Sequence, residues 1–176
     1  AAMLLSQSEP GGRILVGPQP DGGVLLNSGA LLRPAGRQVP LDTLPMSTAL
    51  SPDGRFLLVL NAGYNPPSIS VIDVKTEKET ARVPVADAWL GLAFSPNGRF
   101  VYVGGASQAS VFEFSFSPEG RLEPSRTFPA VPEAERGHQD FIGDVALTPD
   151  GRLIYAANLF RDQVVVINPQ SGRVIE

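Results

Sequence analysis

The sequence has no cysteine, a single histidine, a single tryptophan and only two lysines, Lys75 and Lys78. Without cysteine there can be no disulfide, thiolate metal site or cysteine nucleophile. The compartment stays open, because secreted proteins also do without disulfides. Charged residues are scarce at 18%, low for a free-standing soluble surface. The net charge of −4 comes with no basic patch, which argues against a nucleic-acid partner. No apolar run reaches the roughly 18 residues that span a bilayer, so no membrane span is expected. No P-loop, dinucleotide fingerprint, serine-nucleophile elbow or calcium-loop spacing occurs, and no metal or other cofactor is expected.

Glycine (18) and proline (17) are abundant, and the apolar runs between them are strong. This is the composition of turn-rich all-β structure. One phrase occurs three times, as LSPDGRFLLVLN (50–61), FSPNGRFVYVGG (94–105) and LTPDGRLIYAAN (147–158). Its prolines, Pro52, Pro96 and Pro149, are spaced by 44 and 53 residues. A period of roughly 40–50 residues with several short strands per unit is the signature of a propeller blade. The nine extra residues of the second interval are expected between Phe116 and Phe141, where proline, glutamate and glycine accumulate.

The chemistry of the phrase is that of a hairpin. Proline presets φ at the first turn position, Asp or Asn accepts a turn hydrogen bond, and Gly supplies positive φ. The strands after the turns are apolar at nearly every position, as expected for strands covered on both faces. Third strands are expected at SISVID (68–73), SVFEFS (110–115) and QVVVIN (163–168). Fourth strands are expected at TARVPV, LEPSRTF and the terminal VIE. The predicted fold is therefore an all-β propeller of consecutive four-stranded antiparallel blades, at 38–85, 86–130 and 131–176. An N-terminal lead-in and partial blade is expected over 1–37, from the turn PDGG and the strand-like VLLNSG and ALLRPAG. The chain begins AAMLLSQSEP and ends SGRVIE inside an expected strand, so an incomplete ring cut from a longer protein is expected. Such an arc exposes sheet faces and edges. Its expected partners are the remaining blades of the parent or further copies of itself.

The stretch SPDGRFLLVLNAGYNPPSISVIDVKTEKETARVPV resembles the YVTN-type β-propeller repeat of lactonase-like proteins. In that pattern a Ser-Pro-Asp-Gly turn is followed by an apolar strand ending Tyr-Val-x-Asn, a variable loop and Val-x-Val-Ile-Asp. FVYVGG and LIYAAN fit the second element loosely, VVVINPQSGRVIE fits the last well, and the resemblance covers Gln38 to Glu176. The N-terminal run GPQPDGGVLLNSGALLRPAGRQV is similar to bacterial proteins in which such a propeller precedes an alkaline-phosphatase-superfamily phosphoesterase. The resemblance implies seven blades, hydrolase association and a periplasmic or secreted location.

Candidate sites are few. Asp53, Asn97 and Asp150 read as turn residues rather than metal ligands. Asn61 and Asn158 read as strand-end caps bonded to loop backbone. The loops after the second strands differ in sequence while their frames agree, which makes Tyr64, Asn65, Gln108, Arg161 and Asp162 candidate ligand-binding residues. The segments leading into the first strands run toward the central channel, placing Trp89 and His138 near a shared axial pocket. His138 with Asp140 is the most plausible acid–base pair. Three functions remain open: a binding or scaffolding module of a larger extracytoplasmic protein, a lactonase with its site in the channel, or a cell-surface structural repeat. A ligand at the channel face could be a small molecule or a protein.

Overall fold

The computed structural model describes residues 15–175. The chain divides at Gln38/Val39 into two compact units. The first holds a small meander of two-residue strands, β1 (Gly17–Pro18), β2 (Val24–Leu25) and β3 (Leu31–Leu32), paired antiparallel in the order β1-β2-β3. Asp21, whose side chain accepts the Gly23 N–H, also pairs with Arg33. The expected lead-in residues 1–14 lie outside the described residues, as does Glu176 at the end of the expected strand VIE.

The second unit contains three four-stranded antiparallel meanders. The first comprises β4 (Pro45–Leu50), β5 (Phe56–Asn61), β6 (Ser68–Asp73) and β7 (Lys78–Pro84). The second comprises β8 (Leu92–Phe94), β9 (Phe100–Gly104), β10 (Ser110–Phe116) and β11 (Leu122–Pro129). The third comprises β12 (Ile142–Leu147), β13 (Ile154–Asn158), β14 (Gln163–Asn168) and β15 (Arg173–Val174). These are propeller blades, and the repeated phrase is the β4–β5, β8–β9 and β12–β13 hairpin of each. Ser51, Ser95 and Thr148 donate their hydroxyls to Asp53, Asn97 and Asp150, whose Oδ1 also accepts the N–H of the following arginine. Successive turns lie close together: a Cβ added at Gly98 would stand 3.4 Å from Pro52 Cδ, and one at Gly151 3.0 Å from Pro96 Cδ. The extra residues of the second interval lengthen β10 and β11 and form the connection 130–141, which contains a 3-10 turn at Glu133–Glu135.

The apolar strands explain the stacking. Leu58, Leu60, Ile69 and Val71 of the first blade meet Val101, Val103 and Phe114 of the second. Tyr102, Val111 and Phe128 on the far face of the second blade meet Val145, Ile154, Ala156 and Ile167 of the third. Each such side chain contributes about 1.5–3 kcal/mol by leaving water. Equivalent positions on the far face of the third blade are open: Tyr155 is 40% and Val164 58% exposed, where Tyr102 and Val111 are buried.

One of the expected third strands, SVFEFS, carries a charge at its centre. Glu113 of β10 is buried, and accepts hydrogen bonds from Arg126 Nε (2.8 Å) and Nη2 (2.7 Å) and from Ser125 Oγ (2.9 Å). Burial pushes its carboxyl up, but the Arg126 and Ser125 bonds outweigh burial and hold it below the usual range. Burial, then the Glu113 charge, pushes the cross-strand Tyr102 hydroxyl well above the ordinary phenol range.

Candidate functional site

Up-and-down connectivity sorts the connections onto two faces. The hairpin turns at 51–55, 95–99 and 148–152 share one. The other, the loop face, carries the segments leading into β8 and β12 and the loops 62–67, 105–109 and 159–162. All eight sequence-derived candidates belong to these loop-face connections.

An aspartate preceding the first strand holds the loop of its own blade, three times over. Asp42 accepts Asn65 Nδ2 (2.6 Å) and Arg82 Nη1 (3.1 Å). Asp87 accepts the N–H and the hydroxyl of Ser107. Asp140 accepts Asn158 Nδ2 (2.9 Å), Arg161 Nε (3.1 Å), Arg161 Nη2 (3.1 Å) and the Gly137 N–H (2.8 Å). The repeat predicts the last two as equivalents. Asp42, ten residues before Pro52 where the others stand nine before theirs, is the member sequence reasoning missed.

The clamp occupies Asp140, one member of the expected acid–base pair. Asp140 is spent on Asn158, Gly137 and Arg161, and His138 is exposed with no hydrogen-bond, ion-pair or ring partner among the described residues. The bonds from Asn158 and the Gly137 N–H outweigh burial and, with the Arg161 guanidinium, hold the Asp140 carboxyl at about 2. A carboxylate so firmly ionised is a poor proton acceptor near neutral pH. Asp140→Asn is expected to cost about 2 kcal/mol through lost charge-assisted bonds. Because the folded value is depressed, that stability is present above the unfolded value and disappears as pH falls through the folded one. Acid denaturation of Asp140→Asn should therefore be shallower than wild type below about pH 4; superimposable profiles would remove the clamp's role.

The two strand-end asparagines differ. Asn158 Oδ1 accepts the Phe141 N–H, a cap as expected, whereas Asn61 Nδ2 donates to the Ser68 carbonyl where the loop ends (3.5 Å) and also to Ser70 Oγ (2.9 Å) and Ser68 Oγ (3.3 Å). In the first blade Asp42 already takes the Thr43 N–H. Trp89 meets Phe141 (centroids 6.2 Å, 74° between planes), and Phe141 meets Phe160 (5.3 Å). Sequence reasoning picked out neither phenylalanine, since each falls in a loop whose partner is remote in the chain. Tyr64 is fully exposed, Gln108 is exposed, and Asp162 follows the 3-10 turn Leu159–Arg161 in the left-handed region (φ 53°). A cleft of about 450 Å³ bordered by Thr148, Asp150, Arg152 and Gln170 lies on the opposite face. Its Asp150 is already engaged in its own turn. Among the described residues no cluster of His, Asp and Glu could hold a metal ion, and no helix is long and apolar enough to cross a membrane.

The same architecture occurs in solved structures. Hydrazine synthase of Kuenenia stuttgartiensis matches with TM-score 0.62 and 26% identity over 85% of this chain and 40% of that one. A Bacteroides uniformis protein assigned as a candidate 6-phosphogluconolactonase matches with TM-score 0.58 and 26% identity, over 86% of this chain and 48% of that one. RRP9 WD40 repeats match at TM-score 0.62 and 16% identity, covering 78% of this chain and 39% of that one, a likeness of fold. The chain thus spans less than half the length of each. No curated protein matches it. The profile of the family described as Lactonase, 7-bladed beta-propeller matches residues 45–175, the stretch that carries all three blades, and the chain belongs to that family.

Proposed function

We propose that this chain is the binding part of a larger, extracytoplasmic propeller, and that its loop face is the binding surface. The observation that carries this reading is the aromatic row Trp89–Phe141–Phe160, standing on the face where the loops differ while Asp140 is fully engaged in holding a loop. Solvent-exposed aromatics on a rigid scaffold are what binding surfaces use. The remaining blades of the parent cover the open face of the third blade. The expected result is that the full-length protein does not hydrolyse 6-phosphogluconolactone above the buffer rate; turnover would overturn the reading.

Membership of the lactonase family and the 26% identity to the Bacteroides uniformis protein favour a second reading, a lactone hydrolase with its site in the channel. On this reading His138→Ala lowers turnover by about a hundredfold or more, the range of a lost general acid or base. Unchanged turnover in that variant would remove His138 as its catalytic group.

A further inference from the structure

The loop face between the second and third blades carries a continuous apolar patch. One row is Trp89, Phe141 and Phe160. Beside it, Leu159 lies against Gly143, whose carbonyl accepts the N–H groups of Leu90 and Gly91. Trp89 is 38% and Phe160 61% exposed, and Leu90 and Leu159 are exposed as well. The Trp89 and Phe141 rings meet edge to face rather than with their ring faces stacked. Such faces carry the negative part of the aromatic quadrupole.

Carboxylates outnumber cations in the connections around the patch. Asp144 follows Gly143 and Asp162 follows Arg161, and neither has an ion-pair partner among the described residues. Of the two arginines in the connections that form it, Arg161 is paired with Asp140, and the exposed Arg136 directly follows Glu135. Negative ring faces with unpaired carboxylates favour a cation. Phe160 is 61% exposed, whereas small-molecule sites enclose most of their ligand. Exposed aromatic anchors of this kind are the hot spots of protein interfaces.

We propose that this patch docks a basic segment of a partner protein, an extended stretch in which arginine or lysine alternates with aliphatic residues. The inference rests on the binding reading above and deepens it by naming the partner's chemistry. The cation lies over the Trp89 and Phe160 rings beside Asp144 and Asp162, and the aliphatic residues lie on Leu90 and Leu159.

Trp89 is the only tryptophan of the chain, so its fluorescence reports from the site. The probe is an oligopeptide alternating leucine and arginine, with citrulline and glutamate versions as controls. The arginine peptide is expected to change Trp89 emission saturably, binding about tenfold more tightly than the citrulline peptide. Trp89→Phe removes the signal and locates it. Asp162→Asn weakens binding severalfold without disturbing the fold, because asparagine also adopts the left-handed backbone found there. Equal binding of the citrulline peptide would overturn the cation assignment while leaving the loop face a binding surface. No saturable change with any peptide would overturn the docking proposal, and the hydrolysis assay judges the wider reading separately.

Discussion

Arg126→Met is expected to cost about 2–4 kcal/mol at neutral pH and to reverse the pH dependence that Glu113 gives the fold. In the native protein the Glu113 side chain is fully buried, and Arg126 donates two hydrogen bonds to it beside the one from Ser125. Arg126 is itself 45% exposed, so solvent screens its charge and the estimate stays below that for a wholly buried pair. The native Glu113 carboxyl is depressed, so its contribution is present above the unfolded value and lost as pH falls through the folded one. Without Arg126, burial is the dominant influence and the folded value rises above the unfolded one. The destabilisation then grows as pH rises, and protonation relieves it in acid. Urea midpoints measured from about pH 4 to pH 8 for both proteins test this across the ordinary glutamate range. Parallel profiles would refute it. The double variant Glu113→Gln, Arg126→Met should recover much of the loss, because no uncompensated charge stays buried.

Gly91→Ala is expected to cost about 3 kcal/mol or more, at the upper end of the overpacking range, because the obstructing atoms are backbone. A Cβ at Gly91 would stand 2.9 Å from Val145 N and 3.0 Å from Gly104 N. Those groups belong to the seam between the second and third blades. Gly91 donates to Gly143 O (2.9 Å) and accepts from Gly104 N (3.1 Å), and Ala106 and Ile142 exchange two hydrogen bonds of 3.0 Å. Gly137→Ala is the control, since a Cβ there meets nothing nearer than the Arg161 Nη2 atom at 3.6 Å. Thermal denaturation should separate the two variants clearly, and amide exchange at Ile142 and Ala106 should accelerate only in Gly91→Ala. Equal melting of the two would show that the seam yields to a methyl group.

The repeated phrase was legible because everything that shapes it is local. Pro52, Asp53 and Gly54 make their turn from neighbouring atoms, and FLLVLN needs only to be apolar to become a strand covered on both faces. The same holds for the third strands, whose observed spans begin where the sequence placed them. The site was legible only as a face. Connectivity put the candidate residues into the loop-face connections, but His138 and Asp140 were paired on chain proximity, and the fold gave Asp140 to Arg161 and Asn158 instead. Glu113 was only one position of the expected strand SVFEFS, and its partner Arg126 comes from β11.

By itself, then, the sequence determined the blades, their number along this chain and the face on which the loops gather, because turn chemistry and apolar patterning act over a few residues. Only the tertiary structure decided which carboxylate meets which cation, why Gly91 must lack a side chain, and that Trp89, Phe141 and Phe160 form one surface. Those contacts join different strands, loops and blades, and their energies depend on distances and burial that no local pattern encodes.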